Sequence, residues 1–183
     1  MDNTIAILSG NVAELRDALG LSQQNFALLA NILRTTLGNI ESGKTNFKVS
    51  SLEGILDFTS IKLEDLSKSA FEPAENLREK LAEKYKGNPS ISFILNEEPS
   101  IPYGIKYKLL KTNFLDTPRE TSHIVKFFED NFGWIFKGNS IHAALKRMPN
   151  AIDIYQHPTK HATNLYIKKI LDNDCTLSKL NIP

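Results

Sequence analysis

Gly20-Leu21-Ser22-Gln23-Gln24-Asn25-Phe26-Ala27-Leu28-Leu29-Ala30-Asn31, followed by Ile32-Leu33-Arg34-Thr35-Thr36-Leu37-Gly38-Asn39-Ile40-Glu41-Ser42-Gly43-Lys44, decides how this chain reads. Gly20 stops one helix and Ser22 caps the next, which carries Phe26, Ala27 and Ala30 inward. A further helix over about 33–41 turns Leu37 and Ile40 to the core, and Gly43 ends it by taking the left-handed conformation without steric penalty. Upstream, Val12, Leu15 and Leu19 share one helical face, with Asn11 as cap and Glu14 reaching back as in a capping box. Downstream, Val49, Leu52, Ile55 and Leu56 mark a fourth helix, and Leu63 and Leu66 a short fifth. Five short helices within residues 1–69 predict a small helical domain.

The ordered set Leu15-Arg16, Gly20-Leu21-Ser22-Gln23, Phe26-Ala27-Leu28-Leu29-Ala30 and Leu37-Gly38-Asn39-Ile40-Glu41-Ser42-Gly43-Lys44 resembles the Cro-like helix-turn-helix family of phage repressors and bacterial transcriptional regulators. The resemblance covers residues 12–66 without a gap, and Leu52, Ile55, Ile61, Leu63 and Leu66 continue the family's core pattern. The family usually has Gly at the turn between its second and third helices. Here Asn31 stands there, the next-best residue for a positive φ. Ala27 falls where the two helices approach closely.

The resemblance implies that the third helix lies in the major groove of double-stranded DNA, its N-terminal residues facing base edges. The positions that match family contacts are Gln23, Arg34, Thr35, Thr36 and Asn39, with Lys44 and Asn46 on the backbone beyond the helix. Their chemistry suits the task. Arg34 can donate two hydrogen bonds to a guanine, Asn39 can pair bidentately with adenine, and Thr35 and Thr36 each offer a hydroxyl and a methyl. Gln23 suits a phosphate or an outer base. Glu41 matches a structural position, since an acid facing phosphates would repel them. Beyond Asn31, three residues depart from the family pattern: Gly38 inside the third helix, which costs roughly 1 kcal/mol against Ala, Ser60 in place of Gly or Asn, and Lys62 in place of a Ser or Thr cap.

Residues 70–102 read as a connecting helix and linker. The charged helix over 73–86 has Leu77 and Leu81 on one side, and it is a candidate for part of a dimer interface. From Tyr103 a second domain, 103–183, begins with a helix bearing Ile105, Leu109 and Leu110. A second helix starts at Thr117-Pro118-Arg119-Glu120, with Pro early in the helix, and carries Ile124, Phe127 and Phe128. A third, capped by Asn139 or Ser140, carries Ile141, Ala144, Leu145 and Met148. Ala151-Ile152-Asp153-Ile154-Tyr155 and Leu165-Tyr166-Ile167 then alternate as strands should.

Three helices followed by a hairpin with a basic tip resemble a winged helix, a fold used for DNA binding and for protein contact alike. This resemblance implies a second candidate DNA contact by Asn139, Ser140, His142, Lys146, Arg147 and, on the wing, Lys160, His157 and His161. Trp134 and Phe136 read as core or interface and not as base-stacking groups. The expected architecture is mainly α: a five-helix Cro-repressor-like helix-turn-helix domain plus a winged-helix-like domain with a small β-hairpin.

Charge is unevenly placed within 183 residues whose formal net charge is +1. Residues 1–69 hold six basic and eight acidic side chains, whereas 103–169 hold eleven basic and five acidic. A local cluster creates a potential that the total hides. The ordinary hydrophobic share, 41%, excludes a disordered tail. No apolar run approaches the ~18–20 residues that span a bilayer, and Met1-Asp2-Asn3-Thr4 lacks the basic start of a secretory signal. Cys175 is alone, so no internal disulfide can form, as suits a reducing cytoplasm.

His157 and His161 have metal-ligand spacing, yet only Cys175 follows them, short of the four ligands that a structural zinc needs. No nucleotide-binding or nucleophile motif is present. Neither an enzyme nor a cofactor is expected. The sequence therefore points to a transcriptional regulator that binds operator DNA as a homodimer. The alternative is an interaction adaptor or antitoxin-like partner that uses its C-terminal domain for protein contact.

Overall fold

Helix α1 spans Asn3–Ala18 and runs without a break through Asn11. The structure, a computed structural model, describes residues 3–43 and 47–169. The capping box expected at Asn11 is thus corrected. Leu8 lies one turn ahead of Val12 on the face that also carries Leu15 and Leu19, all four are buried, and that longer stripe draws the helix back toward Asn3. The Asn11 amide instead donates to the carbonyls of Leu66 (2.7 Å) and Lys68 (2.8 Å).

Helices α2 (Gln23–Leu29) and α3 (Arg34–Ser42) follow. Ser22 caps α2 as expected, its Oγ accepting from the Asn25 amide at 3.1 Å. Asn31 takes φ 53° at the turn, and Gly43 ends α3 at φ 60°. A 3-10 turn over Val49–Leu52 leads into α4 (Glu53–Thr59), and α5 is Leu63–Leu66. Ser60 between them is left-handed at φ 58°, which explains why Gly or Asn is usual there.

The chain divides into two units between Lys108 and Leu109. In the first unit, the segment read as a linker is packed. Helix α6 is Leu77–Lys84, shorter than the expected 73–86, and α7 is Pro89–Asn96. Leu77, Leu81 and Leu95 join the same core cluster as Val12, Phe26, Leu37 and Ile55. The apolar side of α6 is therefore covered within its own unit and is not available to a second copy. Tyr85 stacks on Phe58 at 5.6 Å, and its hydroxyl donates to the Phe58 carbonyl (2.9 Å).

Arg78 is buried, and burial lowers its pKa. Its guanidinium donates to the carbonyls of Leu19 and Glu97. Short helical turns complete the unit, α8 at Ile101–Tyr103 and a π turn over Gly104–Lys108. There Tyr103 and Tyr107 stack at 5.3 Å, Lys106 pairs with Glu14, and Lys108 pairs with Glu79 at 2.5 Å.

The second unit opens with a 3-10 turn at Leu109–Lys111. It continues through β1 (Arg119–Glu120), α9 (Thr121–Phe132), α10 (Gly138–Lys146), β2 (Ile152–Gln156) and β3 (Asn164–Lys168). The sheet order is β1-β3-β2, all antiparallel, with Arg119 opposite Tyr166 and Ile154 opposite the same Tyr166.

The expected helix start at Thr117–Glu120 is corrected. Arg119 and Glu120 pair with β3, and the helix begins only at Thr121. A free strand edge beside these two residues outweighs their local helix signal, which is how tertiary pairing overrides propensity. The expected caps on α10 are corrected too. Its N-cap is Lys137, which makes no side-chain bond, and Asn139 and Ser140 lie inside the first turn. The core gathers Leu115, Ile124, Phe128, Phe136, Ile141, Leu145, Ile152 and Tyr166. Trp134 stacks on Phe132 at 4.5 Å, and Phe136 meets Phe128 edge-on at 5.0 Å.

Candidate nucleic-acid interface

Helix α3 divides cleanly by face. Leu37 and Ile40 are fully buried, whereas Arg34, Thr35 and Asn39 are exposed and Thr36 is half-buried. A nine-residue helix this short holds its orientation through tertiary contacts and not through its own propensity.

Glu41 supplies much of that anchoring. It accepts from Arg16 Nε at 2.6 Å and from Gln23 Nε2 at 2.7 Å, so one carboxylate ties α3 to both α1 and α2. Arg16 also donates to Asp17 (2.7 Å) and to the Leu21 carbonyl (3.1 Å). Burial works against the charge on Arg16, but the bonds to Glu41 and Asp17 outweigh it and raise its pKa. Burial likewise pushes the Asp17 carboxyl up, partly offset by Arg16.

Of the residues singled out for DNA, the structure brings Arg34, Thr35, Thr36 and Asn39 together on or beside the exposed face of α3. Among the described residues, no side-chain hydrogen bond or ion pair engages Arg34, Thr35 or Asn39, so their polar groups face solvent. Gln23 stands at the start of α2 with its amide nitrogen committed to Glu41, which leaves the carboxamide oxygen to other partners. Lys44 and Asn46 lie outside the described residues.

Two residues escaped the sequence reading. Leu33 is the N-cap of α3, in extended conformation and without a side-chain cap, and is 72% exposed. Gly54 lies in α4 where a Cβ would come within 2.0 Å of the Ala30 carbonyl oxygen. The family signature flags neither. Leu33 was legible as a poor capping residue directly before the third helix.

The second candidate set is dispersed. Asn139 and Ser140 are exposed at the start of α10, and Lys146 and Arg147 at its end, about 10 Å along the helix. His142 turns inward, with Nδ1 2.5 Å from the Tyr166 hydroxyl. Lys160 bonds Glu120 at 2.5 Å, and this bond holds the Glu120 carboxyl below the usual carboxylate range.

His157 Nδ1 accepts from the amides of Thr159 and Lys160, both at 3.2 Å, so it shapes the hairpin turn. His161 is exposed. Among the described residues, no three His, Cys, Asp or Glu side chains are placed to hold a metal, and Cys175 lies outside them. No helix of the described residues is long and apolar enough to cross a membrane.

Comparison with known families matches a helix-turn-helix family over residues 12–66, the span that holds the C-terminal part of α1 and all of α2 to α5. No curated protein matches the chain, and no solved structure does. The match covers Val12, Leu15 and Leu19 of the buried stripe, the Asn31 turn and the exposed face of α3 together. Residues 12–66 are a helix-turn-helix domain of the Cro-like family, a family of DNA-binding transcriptional regulators.

Proposed function

We propose that this protein is a sequence-specific transcriptional regulator that acts in the cytoplasm and binds operator DNA as a homodimer, with α3 as the reading helix. The observation that carries this is the face of α3 on which Arg34, Thr35 and Asn39 stand exposed while Glu41 fixes the helix from behind. Arg34 and Asn39 read base edges, Thr35 and Thr36 meet a phosphate or a thymine, and Gln23, Lys44 and Asn46 position the backbone. Two-fold symmetry then asks for half-sites about one helical turn, ~34 Å, apart. On this reading, 1–69 is the DNA-binding domain, the packed segment up to Lys108 buttresses it, and a winged-helix-like domain follows from Leu109; the sheet order β1-β3-β2 supports the last assignment.

Selection from a randomised duplex pool at low salt tests the proposal, with Arg34→Ala and Asn39→Ala alongside. The native chain is expected to recover a palindromic site. Each substitution should weaken binding by about 1–3 kcal/mol and relax preference at one base pair. An unenriched pool would overturn the reading.

A second reading concerns the C-terminal unit, from Leu109, alone, as a surface for protein contact. It is favoured by the inward turn of His142 and the pairing of Lys160 with Glu120, which engage two of the eight candidate DNA contacts within the unit. Exposed Tyr155 and Phe132 suit such a surface. A stoichiometric protein partner whose binding survives Arg34→Ala would support it.

A further inference from the structure

We propose that Leu33 is a specificity residue of the DNA contact and reads the 5-methyl group of a thymine in the major groove; this rests on the assignment of α3 as the reading helix. Leu33 occupies the N-cap of α3, where Ser, Thr, Asp or Asn would satisfy one of the free amides of the first turn. Ser22 supplies such a cap one helix earlier, and Leu33 supplies none. The isobutyl group gains nothing from the core in exchange. Leu37 and Ile40 fill the inner face of α3 completely, and Leu33 is left 72% exposed.

Other helices here also lack a side-chain cap, Lys62 before α5 and Lys137 before α10 among them; what sets Leu33 apart is an apolar side chain left exposed at the start of the reading helix. The immediate neighbours of Leu33 are Arg34 and Thr35, whose polar groups face solvent beside it. The edges that bases present in the major groove are donors and acceptors, with a single apolar group among them, the thymine methyl. Arg34, Asn39 and the threonine hydroxyls match the polar edges. Leu33 has no polar atom in its side chain and matches only the methyl.

The test uses the full chain and the duplex it recovers from a randomised pool. Each thymine of that duplex is replaced in turn by deoxyuridine, which removes the methyl and leaves the pairing edge intact. The native chain should lose about fourfold in affinity at one thymine, or at its symmetry mate, the value of one buried methyl group. Leu33→Ser should bind thymine and uracil duplexes equally there and keep the native salt dependence. Its thermal midpoint should rise, because serine supplies the missing cap, so the lost discrimination cannot come from unfolding.

The same thymine-to-uracil ratio in Leu33→Ser as in the native chain would overturn the proposal. So would a recovered site in which no methyl matters, and either result leaves the DNA-binding reading standing. Failure of the native chain to enrich any duplex overturns both.

Discussion

Two glycines inside helices behave in opposite ways. A Cβ on Gly54 would meet the Ala30 carbonyl oxygen at 2.0 Å, a backbone atom that cannot swing aside, whereas a Cβ on Gly38 would meet nothing within 4 Å. Gly54→Ala should therefore destabilise the protein by about 3 kcal/mol, as α4 is forced off the end of α2. Gly38→Ala should stabilise it by about 1 kcal/mol, since alanine is the better helix former. Urea denaturation of the two variants should move the midpoint in opposite directions; the same sign for both would contradict the packing described. The sequence made Gly38 conspicuous because it interrupts a recognisable helix. Nothing local distinguishes Gly54, since close approach between two backbones is a property of the folded chain. Asn31 was legible, because a positive φ at a tight turn is a demand that few residues meet.

Helix α3 owes its placement to a carboxylate whose partners come from two other helices. Glu41 and Arg16 are largely buried at the side chain, 7% and 17% exposed. Glu41→Ala should cost about 3 kcal/mol, mainly by leaving the Arg16 guanidinium without its principal partner. Arg16→Met combined with Glu41→Ala should recover part of that loss, and a double-mutant cycle in urea measures the coupling. The structural role of Glu41 could be read from its sign alone, but Arg16 and Gln23 as partners could not, being 25 and 18 residues away in the chain.

In the second unit, the Lys160 bond lowers the Glu120 carboxyl. A depressed carboxylate stabilises the fold above its ordinary pKa and loses that contribution as pH falls through the folded value. The β1-to-hairpin tie should thus let go only below the usual carboxylate range. Carbon NMR titration of Glu120 should show the midpoint rise in Lys160→Ala. Here too the strand at Arg119–Glu120 was hidden in the sequence, because two residues carry no period and their partner lies more than forty positions on.

At the scale of the whole chain, the helical periods of 70–102 were readable, but the surface they pack on was not. Leu77, Leu81 and Leu95 complete the core of the helix-turn-helix domain. A chain ending at Lys108 should unfold in a single cooperative transition. Residues 1–69 alone, with that face of the core uncovered, should melt lower by on the order of 10 °C or more. Equal midpoints for the two by calorimetry would show that α6 and α7 contribute nothing to the domain. The same burial closes the apolar side of α6 to the proposed homodimer contact.

Gly20 carries a consequence for how such a chain can be recombined. It adopts φ 64°, and a Cβ there would meet Pro99 at 2.7 Å and Tyr103 at 2.9 Å, while its carbonyl accepts from the Ser100 amide. The turn before α2 is thus shaped to residues some eighty positions later. A related helix-turn-helix module grafted at 69/70 would bring a turn that has never faced Pro99 and Tyr103, and any side chain at position 20 would collide with them. The workable seam for exchange lies between Lys108 and Leu109, so the inheritable module is the whole first unit, and α1 to α5 travel with the helices that clasp them.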